Sequence, residues 1–354
     1  MTRRYGATAA VNAGYFILGG PYAGASTGVY QLGGEFLSSG SGRSALALCA
    51  GGRNIVARIG VFEFQGSVFA ENVSFPLMGL NRSRLEQDLV LYTPALGPRT
   101  LSPAGGVEAV LDAGRRVVDL LDGSGNALIP SDGLVISGSG IGADWLRRHV
   151  RKGSKLEIDA GVKADPLPAN CTPTDILGAG PQIVRGGRVL VRRENIGHEM
   201  ARHPRTAFAI TESGQLLFVT LDGRQAVSAG MRLDEFAQEL VRIGAEEALN
   251  LDGGGSTTMV VQGQVRNSPS DGAERPVGDA VLLFSMASPD ALLQTFDRLA
   301  EDSAHISPEI RAPLRAAIVS GSSLRLIETL DKENYGRVSA QARRLLGSAA
   351  PILR

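Results

Sequence analysis

The segment 248–261, ALNLDGGGSTTMVV, places a carboxylate and three consecutive glycines between two apolar stretches. The apolar stretches favour β-strands, and the glycines permit backbone angles that side chains forbid. Such a turn lets a ligand approach the backbone closely, beside the carboxylate of Asp252 and the hydroxyl groups of Ser256 and Thr257. The segment therefore predicts a site for a sugar or phosphate oxygen. The alternative is an ordinary hairpin in which Asp252 only caps the turn.

The residues before this turn predict a strand, a helix and a second strand. A strand that ends at LDGR, 221–224, is followed by apolar residues at helical spacing from Leu233, and then by the strand that leads to Asp252. In such a crossover the ends of the two strands lie near each other, so Asp222 and Asp252 are expected to be neighbours. A preceding strand of the same region brings Arg205 to this edge.

Composition limits the class of protein. The chain has 354 residues, 43% of them hydrophobic, which is enough to form a large core. Lys and Arg together number 36, as do Asp and Glu, so the net charge is +0 and no overall field attracts nucleic acid. The sequence contains no run of about eighteen apolar residues, so it predicts no membrane span. Any recognition of an anion therefore has to be local.

Cys49 and Cys171 are the two cysteines, and they allow one disulfide or none. Neither has the spacing of a metal site, and no three ligands with such spacing occur elsewhere, so the sequence requires neither a metal nor another cofactor. The motif VNAGYF comes only ten residues into the chain. An upstream strand or a signal peptide is therefore expected to have been removed or not included.

The predicted fold is mixed α/β. The first half, to about residue 192, predicts short strands between turns rich in Gly, Pro and Asp. The strand-helix-strand unit would carry the site, and residues 1–288 would form the main domain. Residues 289–354 have helical periodicity in three segments and predict a small C-terminal helical appendage. This appendage could pack on the main domain, mediate a homo-oligomer or act as a spacer.

An ordered set of motifs resembles the phosphodiester glycosidase domain family. The motifs extend from about Ala9 to Phe284 and are VNAGYF, LNRSRLEQDLVLYTP, GAGPQIVRGGRV, RHPRTAFAI, LLFVTLDGR, ALNLDGGGSTTM and NSPSDGAERPVGDAVLLF. The resemblance implies a mixed α/β domain that cleaves a sugar 1-phosphodiester at the anomeric carbon and yields a free sugar and a phosphomonoester. We expect a bacterial protein that is secreted or associated with the cell envelope, with a glycan or sugar phosphate as its substrate.

The candidate catalytic residues follow from the chemistry of this reaction. Cleavage at the anomeric carbon passes through an oxocarbenium-like state, which requires a nearby carboxylate and a second group that activates water or acts as nucleophile. Asp222 and Asp252 are the candidates for these roles. Arg205, together with Arg224, would neutralise the charge that builds up on the phosphate oxygens. The alternative for both arginines is a structural ion pair with a neighbouring carboxylate.

Further residues are candidates for substrate binding. Asn12 and Gly14 match the family's asparagine and glycine and would shape an edge that contacts the sugar, whereas Ala13 departs from the usual glycine. His203 stands where the family commonly has asparagine, and it either binds substrate or makes a local hydrogen bond. The remaining candidates are Thr206, Arg224, Gly253, Gly254, Ser256, Thr257, Asn267 and Arg275. The last two belong to a polar loop that could close one side of the site.

Two other functions remain open from the sequence. One is a glycoside hydrolase that acts on a phosphate-free exopolysaccharide. The other is a carbohydrate-binding module without catalytic activity. The presence of Asp222, Asp252 and Arg205 argues against the second, because a pure binding module does not need a pair of carboxylates.

Overall fold

The fold is described from a computed structural model of the chain. The described residues are 2–40, 42–51, 54–164, 171–190, 201–284, 314–319 and 323–328. Within these ranges, no helix is long and apolar enough to cross a membrane.

Strands make up most of the regular structure in the described ranges. The helices are α1 (Thr2–Tyr5), α2 (Ile141–His149) and α3 (Leu233–Arg242), and a single 3-10 turn spans Gly254–Ser256. The strands are β1 (Ala9–Asn12), β2 (Tyr30–Leu32), β3 (Glu35–Ser38), β4 (Ser44–Gly51), β5 (Asn54–Ala70), β6 (Val73–Leu77), β7 (Gly79–Leu80), β8 (Leu89–Tyr92), β9 (Gly106–Leu111), β10 (Val117–Ser124), β11 (Leu134–Gly138), β12 (Leu156–Ala164), β13 (Pro173–Gly178), β14 (Gln182–Arg185), β15 (Arg188–Val189), β16 (Arg205–Thr211), β17 (Leu216–Leu221), β18 (Ala245–Asn250), β19 (Met259–Val261), β20 (Gln264–Val265), β21 (Asp279–Phe284), β22 (Leu314–Val319) and β23 (Ser323–Glu328).

These strands form four sheets, and the expected mixed α/β fold is wrong. The first sheet has the order β20-β19-β1-β21-β23, and the second has the order β10-β9-β11-β8-β7. The third has the order β12-β5-β4-β13-β2-β3 with β6 on β5, and the fourth has the order β15-β14-β18-β16-β17-β22. Apart from the parallel pair β7 and β8, the pairings among the described strands are antiparallel. The chain is therefore a β-rich protein with few helices.

The strand-helix-strand prediction fails in its topology. β17, α3 and β18 follow one another in the chain, but β16 lies between the two strands and pairs antiparallel with each of them. β16 and β17 are paired antiparallel and follow one another in the chain, with Arg205 opposite Leu221. The predicted unit is therefore part of an antiparallel sheet. Periodicity identified each element correctly, but it carries no information about which strand is inserted between two others.

The predicted C-terminal helical appendage is wrong in both segments that the structure describes. β22 continues the fourth sheet beside β17, and β23 continues the first sheet beside β21. Each is a run of only six residues, which is too short for periodicity to distinguish a strand from a helix. The rest of 285–354 lies outside the described residues, and a domain boundary at residue 288 stays a prediction.

A central hydrophobic core joins the first, third and fourth sheets. Phe208 and Phe218 of the fourth sheet have ring centroids 5.8 Å apart and pack in the same cluster as Leu46 of β4 and Val281 of β21. Leu251, which follows β18 directly, is also fully buried in this cluster. The apolar stretch before the glycine turn is therefore anchored in the centre of the molecule.

Helix α3 covers the other face of the fourth sheet. Leu233, Phe236 and Leu240 are buried at helical spacing in one cluster with Ala207 and Val219. Because successive side chains of a strand point to opposite faces, these strands are apolar on both sides. Glu235 caps the start of α3. Its Oε2 accepts a hydrogen bond from the backbone N–H of Arg232 at 3.0 Å.

Cys49 and Cys171 form a disulfide, which the sequence left undecided. Cys49 lies in β4 and Cys171 lies just before β13, and their Cα atoms are 5.1 Å apart. β13 pairs with both β4 and β2, and it leads directly to Gly180 and Pro181. The disulfide therefore fixes the start of the strand that delivers these two residues.

Candidate active site

A cavity of about 170 Å³ lies among the ends of β1, β13, β16, β17 and β18. It brings together several of the predicted site residues, which come from distant parts of the chain. The residues that line it are Tyr15, Pro181, His203, Arg205, Arg224, Leu233, Asn250, Asp252, Gly253 and Gly254. The cavity therefore contains Asp252, the two arginines and the histidine that the sequence selected, whereas Asp222 is not part of its lining.

The stretch from Asn250 to Gly254 forms one wall of the cavity. The N of Asp252 donates to the O of Ala13 at 2.8 Å, and the N of Gly254 donates to the O of Pro204 at 3.0 Å. Gly254 has a φ of 62°, a conformation that favours glycine. A Cβ at this position would lie 3.1 Å from the guanidinium of Arg224. The glycine therefore serves both the turn and the close approach of Arg224.

Asn12 connects β1 to the glycine turn. Its Nδ2 donates to the backbone O of Asp252, and its Oδ1 accepts hydrogen bonds from Thr206 Oγ1 at 2.8 Å and from Thr258 N at 3.0 Å. Asn12 and Thr206 are both buried. In this structure these side chains fix the backbone that carries Asp252.

Gly14 determines how the chain leaves β1. Its N donates to Asp279 Oδ1 at 2.6 Å, and a Cβ would lie 2.8 Å from the backbone O of Gly178. No larger side chain would fit here without a shift of the backbone of β13. This close approach places the next residue, Tyr15, in the cavity.

Two guanidinium groups form the cationic part of the cavity, and the imidazole of His203 contacts one of them. Arg205 is buried, and its Nε and Nη2 donate to the backbone O of Met231 and of Ala201 at 3.0 and 2.9 Å. Arg224 is exposed and contacts Nδ1 of His203, with Nη2 at 3.1 Å. A guanidinium has no acceptor, so Nδ1 accepts and the ring proton of His203 is on Nε2. His203 thus makes the predicted local hydrogen bond while it lines the cavity.

Asp222 follows β17 directly and is buried. Its Oδ1 accepts hydrogen bonds from Asn267 Nδ2 at 3.1 Å and from Ser268 N at 2.9 Å. Asn267 Nδ2 also donates to the O of Thr257 at 2.9 Å. The Asp222 carboxylate therefore links the end of β17 to the polar loop after β20 and, through Asn267, to the glycine turn.

The remaining predicted residues belong to the same turn and loop. Ser256 is buried in the 3-10 turn. A Cβ at Gly255 would overlap the side chains of Arg275 and Asp271, which form an ion pair at 2.6 Å. The polar loop therefore packs directly on the glycine turn.

Tyr15 and Asn250 were missed by the sequence reasoning. The OH of Tyr15 donates to the O of Gly180 at 3.1 Å, and Nδ2 of Asn250 donates to the OH of Tyr15 at 2.8 Å. Burial raises the pKa of Tyr15 to about 12, and the negative charge of Asp252 acts in the same direction. The available signal was position, because a polar residue two places before Asp252 in an extended segment lies on the same side of the chain.

The combination of groups suits a phosphorylated ligand. Asp252 is half-buried beside guanidinium groups that can form short, charge-assisted hydrogen bonds with a phosphate. The carboxylate itself can stabilise positive charge that develops on a neighbouring carbon. Arg205 is already held by backbone carbonyl groups, so it needs little reorganisation when an anion binds.

The family model of the phosphodiester glycosidases matches residues 105–284. The SPbeta prophage-derived protein YomE of Bacillus subtilis (strain 168) is 37% identical over 82 residues, which are 23% of this chain and 13% of that protein. The N-acetylglucosamine-1-phosphodiester alpha-N-acetylglucosaminidase of Bos taurus is 29% identical over 190 residues, 53% of this chain and 31% of that enzyme. The chain thus spans less than a third of the length of these curated relatives.

Solved structures are similar over most of this chain. The crystal structure of a predicted exported protein from Burkholderia pseudomallei K96243 has a TM-score of 0.69 and 26% identity, and the match covers 80% of this chain and 67% of that one. A protein from Synechocystis has a TM-score of 0.67 and 25% identity, covering 79% of this chain and 52% of that one. The family model matches just over half of the chain, including His203, Arg205, Arg224 and Asp252. The chain therefore belongs to the phosphodiester glycosidase family.

Proposed function

We propose that the protein is a hydrolase that cleaves a sugar 1-phosphodiester at the anomeric carbon. The observation that carries this proposal is that Asp252 shares one cavity with the guanidinium groups of Arg205 and Arg224. The reaction breaks the bond between the anomeric carbon and the phosphate oxygen. Water supplies the oxygen of the new hydroxyl group, so the products are a free sugar and a phosphomonoester. The name of the bovine relative describes an enzyme for a substrate of this kind.

Asp252 acts at the anomeric carbon in this proposal. Its carboxylate stabilises the oxocarbenium-like transition state, either as the base that takes a proton from water or as the nucleophile. Arg205 and Arg224 bind the phosphate and neutralise the charge that its bridging oxygen gains as the bond breaks. The phosphate is a good leaving group when it is neutralised in this way, so a separate general acid is not required.

Asp222 has a positioning role in the same proposal. Its carboxylate accepts hydrogen bonds from Asn267 and from the N of Ser268, and it lies outside the lining of the cavity. Asp222 therefore supports the polar loop and the turn that carries Asp252. Loss of its charge should disturb the arrangement of the site without removing a reacting group.

The place of action that we propose is the cell envelope or the extracellular space, where the natural substrate would be a glycan. The disulfide between Cys49 and Cys171 supports this location, because disulfides persist in oxidising compartments and are rare in the cytosol. The similarity to a predicted exported protein of Burkholderia pseudomallei supports it further.

The proposal is tested by hydrolysis of a panel of sugar 1-phosphodiesters and matched phosphate-free glycosides. Release of free sugar from the phosphodiesters by the wild type is expected. Asp252→Asn should lower kcat by at least about a hundredfold, as expected for a carboxylate in general base catalysis. Arg224→Gln should lower kcat/KM for the phosphodiesters by a similar factor, as found for other groups that stabilise a developing anion.

Asp122 and Arg147 supply matched controls. They form an exposed ion pair at 2.8 Å and do not line the cavity, so Asp122→Asn and Arg147→Gln should retain wild-type activity. Cleavage of phosphate-free glycosides alone would instead indicate an ordinary glycoside hydrolase. Glycan binding without turnover of any substrate would indicate a carbohydrate-binding module.

A further inference from the structure

The cavity has two chemically different ends. Asn250, Asp252 and Gly254 follow one another at every second position along one wall. The Gly254 end is cationic, because Arg224 packs on this glycine and contacts His203. At the other end, Asn250 contacts Tyr15, and the guanidinium of Arg43 lies over the Tyr15 ring, 5.3 Å from its centroid. Asp252 lies between Gly254 and an end whose hydrogen-bonding groups are an amide and a phenol.

The amide of Asn250 has a defined orientation. One of its terminal atoms lies 2.8 Å from the OH of Tyr15 and 3.3 Å from the O of Gly180. A backbone carbonyl oxygen can only accept, so this atom must be the donor Nδ2. The OH of Tyr15 donates to the same carbonyl group, at 3.1 Å. Tyr15 and Gly180 together determine which way the amide oxygen of Asn250 faces.

That amide oxygen is buried, and it has no hydrogen-bond partner among the described residues. Asn250 itself is 3% exposed, and it lines the cavity. A buried acceptor without a donor is costly in a folded protein, because its contact with water is lost and not replaced. A hydroxyl group on a ligand in the cavity would supply the missing donor.

We propose that Oδ1 of Asn250 accepts a hydrogen bond from one hydroxyl group of the substrate sugar, and that Asn250 thereby determines sugar specificity. This inference rests on the proposed function and adds a direction to it. The sugar ring lies at the Tyr15 and Asn250 end, and the phosphate lies at the Arg224 and His203 end. Tyr15 is a positioning residue, since it acts by holding the amide of Asn250.

The electrostatics of Tyr15 fit this arrangement. Its pKa is raised to about 12, so the phenol keeps its proton throughout the range in which such an enzyme works. A neutral phenol can donate to Gly180 and accept from Asn250 at the same time. An ionised phenolate could not donate, and its negative charge would repel a phosphate in the cavity.

The test combines single-hydroxyl deletions in the substrate with variants of the enzyme. Monodeoxy analogues of the best sugar 1-phosphodiester are compared by kcat/KM with wild type and with Asn250→Ala. With wild type, one deoxy position should lower kcat/KM by about 10- to 100-fold, since the buried acceptor loses its donor. Asn250→Ala should lose a similar factor on the parent sugar and should no longer distinguish it from that analogue. Tyr15→Phe should show reduced discrimination at the same position.

Thr220→Val is the matched control. The Oγ1 of Thr220 is also buried and has no hydrogen-bond partner in the described part of the chain, but Thr220 does not line the cavity. This variant should discriminate between the analogues as wild type does. Thermal unfolding of each variant shows whether it is folded, and the deoxy analogues test the intact wild-type protein in any case. Equal turnover of all deoxy analogues by wild type would overturn the inference, as would unchanged discrimination by Asn250→Ala.

A binding measurement separates failure of this inference from failure of the proposed function. Calorimetric titration with methyl glycosides, their monodeoxy analogues and inorganic phosphate does not require turnover. Sugar binding that loses one hydroxyl preference in Asn250→Ala, without hydrolysis of any phosphodiester, would support the sugar subsite and refute the reaction. Hydrolysis of phosphodiesters without a hydroxyl preference that depends on Asn250 would support the reaction and refute the subsite.

Discussion

Removal of the disulfide by the double substitution of Cys49 and Cys171 with Ala should strongly destabilise the protein. The bond links residues that are 122 positions apart. In the chain-entropy model, a closed loop of this length lowers the entropy of the unfolded state by an amount worth about 5 kcal/mol at 25 °C. Natural domains have a free energy of unfolding of about 5 to 15 kcal/mol, so the loss would be a large fraction of the total.

Equilibrium unfolding in guanidinium chloride measures this loss. The double variant should unfold at a clearly lower denaturant concentration, and wild type treated with a reducing agent should behave like the variant. Activity well below the unfolding midpoint should change little, because β13 keeps its pairing with both β4 and β2. The reasoning would be refuted if the free energy of unfolding fell by less than about 1 kcal/mol, since the entropic effect of so long a loop would then be absent.

Three further substitutions test individual contacts of the site. In wild type, the raised pKa of Tyr15 contributes stability that is present below its ordinary pKa of about 10 and is lost as pH rises towards about 12, so denaturation across this range should be less pH-dependent in Tyr15→Phe. Asn12→Ala removes buried hydrogen bonds to Thr206 and to the backbone of Asp252 and Thr258, and urea unfolding should show a loss of about 2 to 4 kcal/mol. Gly254→Ala puts a Cβ in a left-handed conformation and 3.1 Å from Arg224, so thermal unfolding should show a stability loss of about 1 to 2 kcal/mol. Steady-state assays of the folded variant should show kcat/KM lowered by more than about tenfold.

The groups that line the cavity could be found from the sequence only where a motif marked them. Asp252 and its glycines form an unusual local pattern, and Arg205, Arg224 and His203 lie in neighbouring motifs. Asn250 lies in the same motif as Asp252, but a single amide at the end of an apolar strand is usually structural, so the motif alone does not select it. Its unmatched Oδ1 depends on the position of Gly180, which is 70 residues away in the chain. No local pattern contains that information.

The order of the strands in the sheet could not be predicted from the sequence either. The patterns of β16, β17, α3 and β18 were each recognisable, but the inference that Asp222 and Asp252 are direct neighbours assumed that β17 and β18 are adjacent. β16 separates them and pairs with both. Asp222 contacts Asn267 and Ser268, which follow β20. Periodicity thus identifies the two strands but not the strand inserted between them, and the proximity of Asp222 to Asp252 stays a prediction.

The segment before residue 105 completes the site. The family model matches 105–284, yet β1 lies in the middle of the first sheet, paired with both β19 and β21. From this strand, Asn12 holds the backbone of Asp252, Gly14 allows the close approach to β13, and Tyr15 orients the amide of Asn250. These contacts link residues more than 160 positions apart in the chain. In the proposed function, the sugar subsite depends on Tyr15 and the phosphate side on Arg224, so specificity and charge recognition come from segments that are distant in the chain and meet only in the folded protein.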